Sequence, residues 1–252
     1  MLQAFNRERP EMTLSQVAAV VGISPAAARR SLLTLVDLGF VTRHGRNFLL
    51  TPRVLRLSEA FLGSVSMQEV MQQFLQEVVE STGDSSSVAV LDGTDILYVA
   101  SVSAKRSFQF TPTIGTRYPA YATSLGRAIL SHSAPELVDR VLAESDLVKL
   151  TAKTITDPDR LRDLLEEGRR TGIMWADEDL VYGVVSVAVP LLGADGAAIA
   201  AVNCSTSPDR ATVADLLASR HEVLERVQSQ ITTALRQHPV LLHSVVGSAA
   251  GA

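Results

Sequence analysis

Two pairs of arginines stand where the chain could meet a polyanion. Arg29 and Arg30 lie in a run that starts at Ser24-Pro25 and continues to Thr34, and Arg43 and Arg46 flank His44-Gly45 in a short polar stretch. Guanidinium groups present paired donors that suit phosphate oxygens and guanine edges. A helix that enters a major groove needs a slim leading end and a few donors behind it. Ser24, Ala26 and Ala27 supply the first, and Arg29, Arg30 and Thr34 the second. A hairpin tip with Arg43 and Arg46 would reach phosphates or a minor groove. The bland alternative is a structural helix pair with a solvated arginine face. A different chemistry is conceivable at Ser124, which stands near a predicted helix start as a nucleophile could. Its neighbours read Ala122-Thr123-Ser124-Leu125-Gly126, which is not the Gly-x-Ser-x-Gly elbow. His132, His221, His238 and His243 have no context that marks a base. Two alternatives to a DNA-binding regulator therefore stand: a hydrolase-like enzyme, and a small-molecule sensor with a degenerate head.

The arginines need elements that hold them out. Thr13 and Gln16 have capping-box spacing, Gly22 suits a helix C-terminus, and Ser24 with Pro25 opens a second helix. Two caps separated by a short turn predict a helix-turn-helix. In the second helix Ala28, Leu32 and Leu35 fall on the inward stripe, and the arginines fall outside it. Phe40–Thr42 and Phe48–Leu50 read as two strands of a wing, with residues 43–47 as a polar turn. Met1–Asn6 reads as the last turn of a helix. Thr51-Pro52 caps a further helix that would serve as a linker, and Gly63–Ser66 ends it.

Composition supports a basic head on an acidic body. The net charge is −4, yet residues 1–60 carry eight arginines against four acidic residues. That asymmetry suits a head that meets nucleic acid. The lone Cys204 excludes an internal disulfide and fits a reducing compartment. No run is long and apolar enough to span a bilayer, and no signal-peptide or metal-ligand spacing is present. The chain is expected in the cytoplasm, with no cofactor, no metal and no membrane partner.

After Ser66 a capping box with Glu69 predicts a helix to Thr82. Ser86–Leu91 and Ile96–Val102 are predicted strands joined at Asp92-Gly93. Residues 108–110 and Tyr118–Ala120 could be shorter strands. Helices are predicted over Thr123–Ser131, Pro135–Ala143 and from Asp157-Pro158 to Thr171. The strands Ile173–Trp175, Val184–Leu192 and Ala197–Cys204 follow, the last two turning at Ala194-Asp195-Gly196, and then a long helix from about Ala211 to Gln237. Hairpins with helices grouped around them argue for an α+β unit on an antiparallel sheet. The expected organisation is a winged helix-turn-helix DNA-binding domain over 1–50, a linker helix over 51–65, an effector-binding domain over 66–240 and a flexible tail over 241–252.

The two-domain order, with Ala-Ala-Ala-Arg-Arg at 26–30, Thr-Pro-Arg-Val-Leu-Arg-Leu at 51–57 and Tyr-Ala-Thr-Ser-Leu-Gly-Arg at 121–127, resembles the IclR family of bacterial regulators over nearly the whole chain. The likeness is greatest to the branch that controls aromatic-acid breakdown through the β-ketoadipate pathway. It implies a winged helix-turn-helix head, a GAF-like effector domain, double-stranded operator DNA as partner, and homodimers that can pair as a dimer of dimers. It also implies a small carboxylate effector. By that resemblance Ser124 and Leu125 offer backbone amides at a helix start, and Ser186, Asn203 and Ser205 offer side-chain donors from two late strands. The family signature places Gly172, Asp179 and Ser186 at matching spacing. Asp179 stands where relatives carry Glu, and Ala176 where they carry an acidic or hydroxyl residue; the charge lost at 176 makes the site friendlier to an anion or an apolar ring. Tyr118, Tyr121 and Trp175 are candidates for the ring-binding part, or else core aromatics.

Overall fold

The computed structural model describes residues 1–6, 8–57, 67–104 and 112–237. Its first helix, α1 (Leu14–Val21), starts where Thr13 and Gln16 cap each other. The Thr13 N–H donates to Gln16 Oε1 at 2.8 Å, and the Gln16 N–H donates to Thr13 Oγ1 at 3.4 Å. The helix ends at Gly22, which takes the left-handed backbone (φ 71°) that few other residues tolerate. Ser24 Oγ then accepts the Ala27 N–H at 3.2 Å, and Pro25 opens α2 (Pro25–Asp37). The two axes meet at 108°, inside the range of a helix-turn-helix. Ala28 and Leu32 are fully buried, and Leu35 packs on the same core, which gathers Phe5, Met12, Val17, Val41 and Phe48.

The wing differs from expectation in two ways. Strands β2 (Val41–His44) and β3 (Asn47–Leu50) pair with His44 opposite Asn47, so the turn is Gly45-Arg46 and not residues 43–47. Gly45 (φ 61°) supplies the left-handed turn backbone, and the ladder runs to the tip. A third strand, β1 (Glu11–Thr13), pairs with β3, giving the order β1-β3-β2 where a wing of two strands was expected. Met12 anchors it, 2% exposed between two polar neighbours. Residues Leu2–Ala4 form a 3₁₀ turn, and Ala4 and Phe5 join the core. Thr51 caps a 3₁₀ turn over Pro52–Val54, and residues 55–57 are helical. The remainder of the expected linker helix, the Ser66 cap, the 108–110 strand and the 241–252 tail lie outside the described residues.

The chain divides into two units, Met1–Val65 and Ser66–Ala252. In the second, α3 (Met67–Thr82) leads into β4 (Ser85–Asp92) and β5 (Asp95–Val102), followed by β6 (Arg117–Pro119). Ala120–Ala122 is a 3₁₀ turn, so the short strand expected to reach Ala120 stops at Pro119. Helices α4 (Ser124–Ser131), α5 (Pro135–Glu144) and α6 (Pro158–Thr171) come next. Strands β7 (Met174–Asp177), β8 (Val185–Leu192) and β9 (Ala198–Thr206) then precede α7 (Val213–Gln237). Among the described residues its six strands are antiparallel in the order β6-β5-β4-β9-β8-β7. Helices α3 and α7 pack on one face, and α4, backed by α6, packs on the other. Leu125, Ala128 and Ile129 of α4 meet Ala89, Ala188 and Ala201 of the sheet in the main core. Gly126 permits the close seat of α4, because a Cβ there would fall 2.2 Å from the Ala120 carbonyl oxygen.

Candidate functional site

In the head, Ser24, Ala26, Arg29, Arg30, Thr34, Arg43 and Arg46 are exposed and Ala27 is half-buried. Arg29, Arg30 and Arg46 make no ion pair among the described residues. The Thr34 hydroxyl donates to the Arg30 carbonyl at 3.1 Å, which uses its proton but leaves its lone pairs outward. Arg43 lies in β2, not in the turn, with its guanidinium carbon 5.1 Å from the Phe48 ring centroid. This cation–π contact braces Arg43 beside the tip, while Arg46 occupies the tip itself. The head thus presents a cation-bearing helix and a cation-tipped hairpin, the layout that reads a major groove and holds the flanking backbone.

In the second unit a narrow cleft with about 30 Å³ of free space lies between the start of α4 and the sheet. Thr123 caps α4, its hydroxyl accepting the Gly126 N–H at 3.0 Å. The Ser124 and Leu125 amides precede it in the first turn and have no acceptor within the helix. Ser124 Oγ lies 2.8 Å from Ser186 Oγ across 62 positions of sequence. The β8–β9 register puts Ser186 opposite Ser205 and Ala188 opposite Asn203, so the three polar side chains share one face. Cys204 takes the other face, where burial pushes its thiol pKa far up, Asp84 adding to the effect. Asn203 Oδ1 accepts the Ser87 N–H at 2.9 Å. That bond fixes which end of the amide is which, and Nδ2 remains a donor without a partner among the described residues.

Five of the six expected effector residues therefore meet at the cleft as donors. Asp179 also borders it, but its carboxylate is committed elsewhere. It accepts Arg127 Nη2 at 2.5 Å and Nη1 at 3.2 Å, the Asp177 N–H at 2.9 Å and the Ile155 N–H at 3.2 Å. Asp179 is a scaffold for Arg127 rather than a direct ligand for an anion. Arg127 is fully buried and also donates to the carbonyls of Tyr121 (2.8 Å) and Trp175 (2.9 Å). It ties the helix that begins the cleft to the strand and loop that wall it. A buried cation in the apolar run Leu125–Leu130 was its one sequence signal.

For Tyr118 and Tyr121 the core alternative is the one their placement supports. Tyr118, Tyr121 and Trp175 do not line the cleft; Tyr98 does. Tyr121 is buried in a second core and donates to the Val148 carbonyl at 2.8 Å. Trp175 alternates with Ala176, which is the residue of β7 that faces the cleft opposite Ser186. Tyr118 packs edge-on against Tyr98, with ring centroids 6.0 Å apart. Leu180 and Val184 complete an apolar wall.

No lysine, arginine or histidine lines the cleft among the described residues. The hydroxyl partner of Ser124 is another serine, which cannot serve as a base, so the nucleophile–base pair of a hydrolase is not assembled there. Among the described residues no cluster of His, Cys, Asp and Glu could hold a metal ion, and no single helix is long and apolar enough to cross a membrane.

Comparisons agree with this geometry. Residues 1–45 match the IclR helix-turn-helix domain, and residues 59–233 match the C-terminal domain of the bacterial transcriptional regulator IclR. The Pca regulon regulatory protein of Pseudomonas putida is 35% identical over 217 residues, 86% of this chain and 75% of that protein. A structure of a Rhodococcus sp. RHA1 protein described as a transcriptional regulator is 40% identical with a TM-score of 0.72, covering 94% of this chain and 95% of that one. The inducer-binding domain of PobR from Acinetobacter, a double mutant solved with 3-hydroxybenzoic acid, is 29% identical with a TM-score of 0.60 over 66% of this chain and 97% of that one. The two matched domains, the shared sheet and the head built around α2 agree: the chain belongs to the IclR family of bacterial transcriptional regulators.

Proposed function

We propose that this DNA-binding regulator is controlled by a small aromatic carboxylate, of the kind broken down through the β-ketoadipate route, bound at the start of α4. The carboxylate accepts hydrogen bonds from the Ser124 and Leu125 amides and from whichever of the Ser124 and Ser186 hydroxyls is not donating to the other. Asn203 Nδ2 and Ser205 flank it, and the ring lies against Ala176, Leu180 and Val184. One observation carries this reading: first-turn amides of a helix meet converging neutral donors in a half-apolar cleft. Donors without acceptors call for an anion, and the helix dipole has the right sign for one. The hydroxybenzoate in the PobR inducer-binding domain and the Pca regulon relative support the same class.

On the DNA side, Arg29 and Arg30 face the major groove, with Ser24, Ala26 and Ala27 at the approach and Thr34 behind them. Arg43 and Arg46 hold the backbone from the wing. Two chains bind one operator as a homodimer, and two dimers associate, the arrangement that paired half-sites favour. The protein acts where the DNA is, in the cytoplasm. The acid changes operator affinity only if it binds the DNA-competent and incompetent states unequally. The test is fluorescence anisotropy of a labelled upstream fragment, titrated with the full-length chain with and without benzoates and short dicarboxylates, beside calorimetry of each acid alone. Binding of an aromatic acid with a shift in operator affinity is expected. Absence of heat for every acid, or identical operator curves at saturating acid, refutes the reading.

A further inference from the structure

The free space of the cleft, about 30 Å³, is room for water. A cavity of about 150 Å³ is what takes a benzene ring. A ring therefore enters only if a wall moves. The sheet wall of Ser87, Asn203 and Ser205 lies on the inner strands β4 and β9, each paired on both sides. The run that opens α4 is tied down by Arg127, which donates to the Tyr121 and Trp175 carbonyls and pairs with Asp179. Outside the sheet and that run, Pro112 and the segment 179–184 are what lines the cleft among the described residues.

This segment, between β7 and β8, is fixed at its base and held at its tip by exposed bonds alone. At the base the Asp179 carboxylate meets Arg127, the Thr154 hydroxyl donates to the Asp179 carbonyl at 2.7 Å, and the Thr151 hydroxyl donates to the Glu178 carbonyl at 2.8 Å. At the tip Val181, Tyr182 and Gly183 are exposed, Tyr182 by 61%. The Ala152 N–H donates to Tyr182 Oη at 2.9 Å, and the Gly183 N–H donates to Glu178 Oε1 at 2.7 Å. Lys153 Nζ clamps the same carboxylate, 2.6 Å from Glu178 Oε2 and 3.0 Å from Asp177 Oδ1. Glu178 has φ 55° and is the one non-glycine residue with a positive φ among the described residues. Such a backbone persists where its surroundings enforce it, and it gathers at switch regions. Here the clamp enforces it. Gly183 (φ 82°) closes the other end, with open space beside it. Exposed ion pairs and hydrogen bonds of this kind are individually weak and open locally.

We propose that residues 180–183 are a gate over the cleft, latched by Lys153 and Tyr182, and that the effector binds by displacing it. This deepens the aromatic-carboxylate reading above and rests on it. The base keeps Asp179 on Arg127 while Leu180 swings outward, so the α4 donors hold their geometry as room for the ring opens. A ring and the closed gate exclude each other, so the latch competes with the acid. The observed affinity is the intrinsic one reduced by the fraction of chains whose gate is open.

The test is calorimetry of the full-length chain, of Lys153→Met, of Tyr182→Phe and of the double variant with benzoate and 4-hydroxybenzoate. Thermal melts verify that all four fold. Neither substituted residue lines the cleft. Damage to the fold would weaken binding, whereas loss of a latch strengthens it. Each single variant is expected to bind about 2- to 5-fold more tightly, the worth of one exposed ion pair or hydrogen bond, and the double variant about 10-fold. Hydrogen exchange of the acid-free proteins over 180–183 is expected to be faster in the double variant than in the intact chain. Affinity that is unchanged or weaker in the double variant overturns the gate and leaves the carboxylate reading standing. So does exchange over 180–183 that the two substitutions leave unchanged. If neither acid binds the intact chain or the double variant, the carboxylate reading itself fails and the gate falls with it.

Discussion

Asp179→Ala tests whether the Arg127–Asp179 pair is the scaffold of the cleft. Both side chains are at most 1% exposed, and the carboxylate neutralises a guanidinium with no other charged partner among the described residues. The substitution leaves that cation buried with two carbonyl acceptors, Tyr121 and Trp175, and orphans the Asp177 and Ile155 amides. Breaking a buried pair from one side costs about 3–5 kcal/mol; the surviving carbonyls place the expectation at the low end, about 3 kcal/mol. For a unit of this size that is a melting shift of roughly 6–12 °C. Trp175 is the chain's single tryptophan, and its ring centroid is 5.8 Å from the Arg127 guanidinium carbon. Its fluorescence in a urea titration therefore reports on this unit. The double variant Arg127→Met with Asp179→Ala removes both charges and should be less destabilised than the sum of the single variants. A loss under about 1 kcal/mol in Asp179→Ala, or simple additivity in the double variant, would refute the scaffold argument.

Other substitutions probe separate parts. Gly126→Ala forces a Cβ toward the Ala120 carbonyl; overpacking of about 1–3 kcal/mol and a weakened acid affinity are expected from urea melts and calorimetry, because the α4 start must move. Arg46→Ala should lower the slope of log K against log salt by about 1 on any DNA, measured by anisotropy across a salt series. Arg30→Ala should instead cost about 1–3 kcal/mol on the operator with little change on random DNA; an equal loss on both makes it a phosphate contact. Cys204, fully buried and with its thiol pKa raised by burial, should react with a thiol reagent at pH 8 only as fast as the chain unfolds, which urea should accelerate.

The parts of the fold that were legible in the sequence are those fixed within four residues. Thr13 with Gln16, Gly22, Ser24-Pro25, Thr51-Pro52, Asp157-Pro158 and Gly172 each mark an observed element boundary, because a cap is a local hydrogen bond or a local backbone angle. Strand β1 was missed because three residues carry almost no periodicity, and only the pairing of Met12 with Phe48 gives it meaning. The donors of the cleft were reachable through family resemblance plus alternation, since Asn203 and Ser205 must share a face. Tyr98 was not reachable, because alternation itself breaks at the Val99 bulge, and a bulge depends on how two strands pair. Arg127 and Asp179 lie 52 positions apart, and neither one's local sequence announces the other. The same dependence on pairing decides between the two places open to the aromatics. Trp175 and Ala176 are adjacent, so a single step along β7 decides between a bulky wall and an open one. Ala176, beside Leu180 and Val184, leaves the wall of the cleft open as a slot. Enlarging Ala176 to Leu should therefore close the slot to aromatic acids while leaving the α4 donors in place, which separates the shape of this site from its charge.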